Sequence, residues 1–363
     1  MLLDEKYMRL ALAEAKKGLG RTSPNPMVGA VIVKNGKVLA KGYHHYYGAD
    51  HAEVDAFKKA GEVKGAKLYA TLEPCNHTGL TPPCVDEVIR RGIKDVVIAM
   101  KDPNAFTNGK SIQKLKKAGI KVTVGVLESD ARKLNEAFIK YMTTKLPFVV
   151  AKSAQTLDGK IASRTGHSQW MTESKTRNFT RRLRDSFDAI LVGRGTALKD
   201  NPKLTGIRNK NLKKIVLDST LQISKSAQLF KNTLNGQCIV ATTLKASKVK
   251  IKILEKMGVQ VIVCPVTANG IDLKWLFKEL VKNGIISILI EGGARTIGLA
   301  LKQNVVDKIQ IFVAPKILGD QEAVSSITGL NIVNVNYSIQ LKDITIQKIY
   351  NDLLIEGYVY RNR

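Results

Sequence analysis

Two successive α/β domains are the fold class this sequence predicts. Three observations carry the prediction. The chain has 363 residues, about twice the length of a common single domain. Helical and extended apolar periods alternate along both halves. Leu146-Pro147 interrupts that alternation, and a new strand opens at Phe148. The domains are therefore placed at 1–145 and 146–363. With 44% hydrophobic and 25% charged residues, each half has the apolar content to build its own core.

In the first half, Asp4 to Lys17 carries helical spacing through Met8, Leu12 and Ala15, and stops at Gly18 and Gly20. Val28 to Val33 reads as a buried strand, Asn35-Gly36 as a hairpin turn, and Val38 to Tyr43 as the returning strand. A helix begins near His51, a strand runs from Lys67 to Thr71, and another helix opens after Thr81-Pro82. Val96 to Ala99, Ser111 to Ala118 and Lys121 to Val124 follow as strand, helix and strand, and one last helix is expected over Asp130 to Tyr141. That order makes a three-layer α/β/α sandwich. In the second half the expected strands are Phe148 to Lys152, Asp188 to Val192, Lys214 to Leu217, Cys238 to Ala241 and Val261 to Val263. Ile285 to Ile290, Lys308 to Ala314 and Leu353 to Tyr360 complete the sheet.

Composition narrows the function classes. The first residues, Met1-Leu2-Leu3-Asp4-Glu5-Lys6, place acids where a signal peptide needs a basic stretch, and apolar runs such as Ile285 to Ile290 are strand-sized, so a cytoplasmic chain without membrane partners is expected. The net charge is +27, but the lysines are scattered, with no arginine-rich tail and no interleaved aromatic pattern. A field of that sign attracts phosphorylated small molecules, and these rather than nucleic acid are the expected partners. Of four cysteines, Cys75 and Cys84 lie close together in a Pro/Thr/Gly-rich segment, while Cys238 and Cys264 lie in apolar runs as small core residues. Metal binding and burial are favoured over a disulfide framework.

The sharpest motif is His51-Ala52-Glu53, then Glu73-Pro74-Cys75 and Pro82-Pro83-Cys84. One imidazole and two thiolates are a tetrahedral zinc set with one vertex open, the requirement of a catalytic zinc. Water at such a centre becomes acidic enough to act as a nucleophile. Glu53 is then the proton shuttle, not a ligand. Taken alone, Asp50-His51-Ala52-Glu53 also fits a capping box with Asp50 as N-cap. The positive end of that helix is expected to keep His51 neutral, and a second helix start to stabilise the Cys84 thiolate.

These residues resemble the cytidine/deoxycytidylate deaminase superfamily, whose pattern is His-x-Glu followed by Pro-Cys-x-x-Cys. Here eight residues separate Cys75 from Cys84. The longer segment from Thr71 to Cys84, with Pro24-Asn25-Pro26-Met27-Val28-Gly29 upstream, looks like the riboflavin-pathway branch. That resemblance implies a diaminopyrimidinone substrate carrying ribosylamine 5′-phosphate, contacted by Asn25, His44 and His77. Asp102-Pro103-Asn104 fits the branch, whereas Ala105-Phe106-Thr107-Asn108-Gly109 departs from its usual loop.

No Gly-x-Gly-x-x-Gly follows a strand in the second half. Ile290-Glu291-Gly292-Gly293-Ala294 instead joins a buried strand to a helix, a junction suited either to a phosphate or to tight packing. In order along the chain stand Lys152, Leu157-Asp158-Gly159-Lys160, Gly166-x-Ser168-x-Trp170-x-Thr172, Val192-Gly193-x-Gly195-Thr196 and Asp200-x-Pro202-x-Leu204-Thr205. Together with the diglycine these are similar to the reductase half of the bifunctional riboflavin enzymes, whose fold is dihydrofolate-reductase-like. The resemblance implies NADPH-dependent reduction of the ribosyl carbon, with Lys152 and Asp200 as the ionisable groups at the reaction. It assigns Ser168, Arg184, Leu204, Arg208 and Glu291 to the substrate. To the cofactor it assigns Ala154, Trp170, Thr196, Asp200 and Ser219, together with the run Gly293, Ala294, Arg295, Thr296, Ile297, Gly298 and Leu299. Relatives read Leu-Thr-x-Arg, whereas Leu204-Thr205-Gly206-Ile207-Arg208 is one residue longer.

The competing classes are a tRNA-type base deaminase with a basic RNA-binding second half, and a zinc-stabilised module without catalysis. The first leaves the ordered reductase motifs unexplained, and the second leaves Glu53 without a purpose. Zn2+ and NADPH are the expected cofactors, and a homo-oligomer the expected assembly.

Overall fold

Asn35 and Gly36 take φ of 51° and 74°, the paired left-handed turn that matches the twist of a two-residue hairpin. They join β1 (Gly29–Lys34) to β2 (Lys37–Tyr43) after α1 (Leu2–Ala15). Then come α2 (Ala52–Ala60), β3 (Lys67–Leu72), α3 (Cys84–Arg90), β4 (Asp95–Met100), α4 (Lys110–Lys117), β5 (Lys121–Val124), α5 (Glu128–Leu134) and α6 (Glu136–Thr144). The strand order is β2-β1-β3-β4-β5. β1 is antiparallel to both its neighbours, and β3, β4 and β5 run parallel.

Alternation along β1 divides the core in two. Ala30 and Ile32 pack with Phe57, Val85, Val88 and Leu115 from α2, α3 and α4. Val31 and Val33 pack with Tyr7, Met8, Ala131 and Phe138 from α1, α5 and α6. A sheet apolar on both faces needs a helical layer on each, and the three-layer sandwich follows. The single helix expected over Asp130 to Tyr141 is two helices. Asn135 breaks it, because its side chain accepts from Met27 N–H and donates to Met27 O, a reciprocal pair held at φ −117°.

This is a computed structural model, and it describes residues 2–78, 82–209, 211–231, 234 and 236–360. Gly79, Leu80 and Thr81, within the segment between the two cysteines, lie outside the described residues. The chain divides into two compact units, Met1–Leu146 and Pro147–Arg363.

The second unit begins with β6 (Phe148–Thr156), β7 (Lys160–Ala162), α7 (Ser174–Arg184), β8 (Ala189–Gly193) and α8 (Arg194–Lys199). It continues through β9 (Lys213–Leu217), β10 (Cys238–Thr242), α9 (Lys248–Lys256) and β11 (Gln260–Val263). After the short pair β12 (Val266–Thr267) and β13 (Gly270–Ile271) come α10 (Leu273–Lys282), β14 (Ser287–Glu291) and α11 (Ala294–Lys302). β15 (Lys308–Ala314), β16 (Val324–Ser325), β17 (Leu341–Ile349) and β18 (Asp352–Val359) finish the chain. The nine-stranded order is β11-β10-β9-β8-β14-β6-β15-β18-β17, parallel from β11 to β15 and closed by the antiparallel pair. Cys238 and Cys264 are buried, and none of the four cysteines is in a disulfide. Among the described residues no helix is long and apolar enough to cross a membrane.

Candidate active sites

Three elements bring the metal donors together. His51 stands in extended backbone just ahead of α2, Cys75 follows β3, and Cys84 is the first residue of α3. His51 Nδ1 lies 3.2 Å from Cys84 Sγ and 3.5 Å from Cys75 Sγ. All three donor atoms fall within 4.8 Å of one another. Zinc bonds of about 2.0 Å to nitrogen and 2.3 Å to sulfur set the edges of a tetrahedron at about 3.3–3.8 Å. The two nitrogen–sulfur edges match, and soft sulfur with imidazole is zinc's donor chemistry. The cluster fits Zn2+.

Three expectations about these helix starts are corrected. Asp50 is not the N-cap: His51 holds that position, and the Asp50 carboxylate instead accepts from Lys58. At His51 the hydrogen bond to the Cys75 sulfur dominates and raises the proton affinity of the ring, opposite to the direction expected from the helix end. Of the two sulfurs it is Cys75 whose thiol is lowered, to about 4, by the hydrogen bond from Cys84, while that shared proton and deep burial push Cys84 up. The field of a seven-residue helix loses to direct sulfur–sulfur contact. A divalent cation held by the three atoms would outweigh both effects and favour two thiolates.

Glu53 is 3% exposed beside this cluster, and burial raises its carboxyl above the usual range. Asn25, His44, Glu53, Cys75 and His77 line one cavity of about 230 Å³, with His51 at its wall. His44 is fixed at both ring nitrogens: Asn25 Nδ2 donates to Nε2 at 3.2 Å, and Nδ1 donates to Asp50 O at 3.0 Å. Burial lowers its pKa, so a neutral ring faces the cavity. His77 is exposed at the rim, 3.5 Å from Thr107 Oγ1.

Glu73 and Asp102, which stood in sequence motifs without an assigned role, line the same cavity. Glu73 is 2% exposed and accepts backbone N–H from Asp102, Gly109 and Ile112 at 3.2, 2.9 and 3.3 Å. It thereby ties the end of β4 and the start of α4 to the ligand-bearing segment. Asp102, pushed up to about 6 by burial, is the group so placed. The signal was a glutamate one proline before a metal cysteine, a place where an unpartnered carboxylate costs stability.

In the second unit the C-terminal ends of β6, β8 and β14 open into a cleft of about 1400 Å³, wide enough for a dinucleotide and a second ligand. Lys152 and Glu291 are register partners on adjacent parallel strands. Arg184 forks onto Glu291, 2.7 Å from Nε to Oε1 and from Nη2 to Oε2. Burial pushes Glu291 up, but Arg184 and Lys152 outweigh it and the group is held low. Burial lowers Lys152, with Glu291 opposing. Gly292 and Gly293 both sit at φ 80°, a conformation that disfavours side chains, and deliver the chain to the start of α11. A glycine junction aimed into a cleft this large fits the pyrophosphate of NADPH.

Ala154, Ser168, Thr196, Asp200, Leu204 and Ser219 line this cleft, as do residues 293–297 and 299. Asp200 is exposed at the end of α8, and partial burial raises its carboxyl. Three expected residues are elsewhere. Trp170 is 61% exposed with Arg177 stacked 4.2 Å over its ring. Gly298 packs against Thr328, where a Cβ would meet the carbonyl oxygen at 1.8 Å. Arg208 is exposed, donates its backbone N–H to Asp185, and is not among the residues that line the cleft.

Residues 1–100 match the cytidine and deoxycytidylate deaminase zinc-binding region, and residues 147–355 match the RibD C-terminal domain. The riboflavin biosynthesis protein RibD of Aquifex aeolicus is 44% identical over 358 residues, covering 97% of this chain and 98% of that one. That of Actinobacillus pleuropneumoniae is 40% identical, covering 99% and 96%. The crystal structure of a Thermotoga maritima diaminohydroxyphosphoribosylaminopyrimidine deaminase/5-amino-6-(5-phosphoribosylamino)uracil reductase superposes with a TM-score of 0.87 at 35% identity, covering 99% of each chain. Acinetobacter baumannii RibD superposes at 0.88 with 32% identity, again over 99% of each. The cytidine-deaminase-like unit followed by a dihydrofolate-reductase-like unit is thus shared along the whole length, and no part is left to favour a nucleic-acid base deaminase. The chain belongs to the RibD family, the bifunctional deaminase and reductase of riboflavin biosynthesis that works with Zn2+ and NADPH.

Proposed function

We propose that the first unit deaminates 2,5-diamino-6-(5-phosphoribosylamino)pyrimidin-4-one and that the second reduces the ribosyl side chain of the product to a ribityl chain. The observation that carries this reading is the His51, Cys75 and Cys84 donor cluster with buried Glu53 in the same cavity. Zinc held there supplies Lewis acidity that makes water a nucleophile near neutral pH. Glu53 takes a proton from the attacking water and passes it to the amino nitrogen, which leaves as ammonia. His44 and Asn25, locked to each other, hold the pyrimidine against that carboxylate, and His77 at the rim meets the ribose or its phosphate.

In the second unit NADPH supplies the hydride. Lys152 gives a proton to the heteroatom that receives the electron pair at the ribosyl carbon, with Asp200 at the mouth completing proton exchange with solvent. Ser168, Arg184, Leu204 and Glu291 hold the substrate, and Ala154, Thr196, Ser219 and the start of α11 hold the cofactor. Trp170 and Arg208 reach a ligand only if their segments move on binding. Cys238 and Cys264, buried and without a disulfide, are consistent with a reducing, cytoplasmic setting. A homo-oligomer free of nucleic acid and membrane completes the proposal, and sedimentation checks its mass.

The test supplies the phosphoribosylaminopyrimidine to zinc-loaded protein and follows ammonia, then the absorbance of reduced nicotinamide. Ammonia release without NADPH, followed by NADPH oxidation in equal amount, is the expected result. Ammonia release only from cytidine or RNA would defeat it.

A further inference from the structure

The end of α7 grips one loop with consecutive residues. Arg184 donates from Nη1 to Thr205 O at 3.0 Å while its other N–H groups engage Glu291. Asp185, 8% exposed, accepts three successive backbone N–H groups on Oδ1: Ile207 at 2.8 Å, Arg208 at 3.0 Å and Asn209 at 3.0 Å. Consecutive amides converging on one oxygen form a nest for a fixed anion. Asn209 Nδ2 closes the arrangement by donating to Phe187 O at 3.1 Å.

Position 206 has no room for a side chain beside Asp185. A Cβ there would stand 2.2 Å from Asp185 Oδ1. Its φ is not in the left-handed region, so glycine is required for space, not for conformation. The extra residue that lengthens Leu204-Thr205-Gly206-Ile207-Arg208 is therefore seated by Asp185. The loop carries Leu204, 3% exposed at φ 50°, to the cleft wall, and beside it the Thr205 carbonyl accepts from the Arg184 guanidinium.

We infer that Asp185, with Gly206, is a positioning pair that sets the substrate end of the reductase cleft. Anchoring 207–209 fixes Leu204 and Thr205, and Thr205 in turn keeps Arg184 aimed at Glu291. The inference rests on the proposed reading that these residues face the substrate. The cofactor end, built by α11, β8 and Ser219, does not depend on the nest.

The experiment compares wild type, Asp185→Asn, Asp185→Ala, Gly206→Ala and the Asp185→Ala/Gly206→Ala double variant in the full chain. Reduction is assayed with the deaminated phosphoribosylaminouracil, and the Kd of NADP+ is measured by calorimetry. Asp185→Ala and Gly206→Ala are each expected to raise KM for the uracil about tenfold, with kcat within about threefold and NADP+ affinity within about twofold. Asp185→Asn falls between them and wild type. The double variant is no worse than Asp185→Ala, since the oxygen that the new methyl meets is gone. Unchanged KM in both single variants would overturn the inference, as would additive losses in the double. Equal loss of kcat and NADP+ affinity would also overturn it, by showing general unfolding of the unit. Failure of wild type itself to reduce the uracil defeats the functional reading instead, and so the two are told apart.

Discussion

Glu53→Gln is expected to slow deamination by about 10²- to 10⁴-fold, the range of a lost general acid–base, while the chain keeps its zinc. The substitution preserves shape and removes the ability to take a proton. Two other carboxylates line the cavity, and neither is placed to substitute. Glu73 accepts from three backbone N–H groups, and Asp102 accepts from Asn104 N. Steady-state ammonia release checks the rate, and elemental mass spectrometry checks the metal. Zinc retained with wild-type turnover would remove Glu53 from the mechanism. Reduction of pre-deaminated substrate is expected to be unaffected, because Glu53 belongs to the first unit and the described residues that line the second cleft, Lys152 and Glu291 among them, belong to the second.

Lys152→Met is expected to have the converse effect, lowering NADPH-dependent reduction by about 10²-fold or more and leaving ammonia release unchanged. Methionine keeps the length of the stem in a strand packed between β14 and β15. Arg184 still forks onto Glu291, so the buried carboxylate is not left unpaired and the fold survives. Stopped-flow oxidation of NADPH with the deaminated substrate measures the effect directly. A variant that reduces at the wild-type rate would move the proton transfer to Asp200 or to water.

The deaminase chemistry was legible for local reasons, whereas the reductase chemistry was implied by resemblance. A metal restricts its donors to a few residue types, so a histidine and two prolyl-cysteines in order carry information that survives folding. The Asn35-Gly36 turn and the buried runs of β1, β4 and β14 likewise declare themselves within a few residues. What escaped depends on partners far along the chain. The break at Asn135 is made with Met27, 108 residues away, and Glu73 finds its donors up to 39 residues later. β17 went unread because nearly every residue between its ends is exposed, which erases the apolar alternation that marks a half-buried strand. The insertion of β14 between β8 and β6 is a crossover that no periodicity reveals, and the second fold was reached through resemblance alone. Proton placement on the two sulfurs needed their contact, not their positions relative to a helix.

Deamination in the first unit depends on a three-donor zinc with one vertex left for chemistry. X-ray absorption at the zinc edge of the full chain tests it most directly. One zinc per chain, with two sulfurs at about 2.3 Å and two lighter atoms at about 2.0–2.1 Å, is the predicted spectrum, and Cys84→Ser should remove one sulfur from it. A shell of four sulfurs, or a spectrum that Cys84→Ser leaves untouched, would contradict the site.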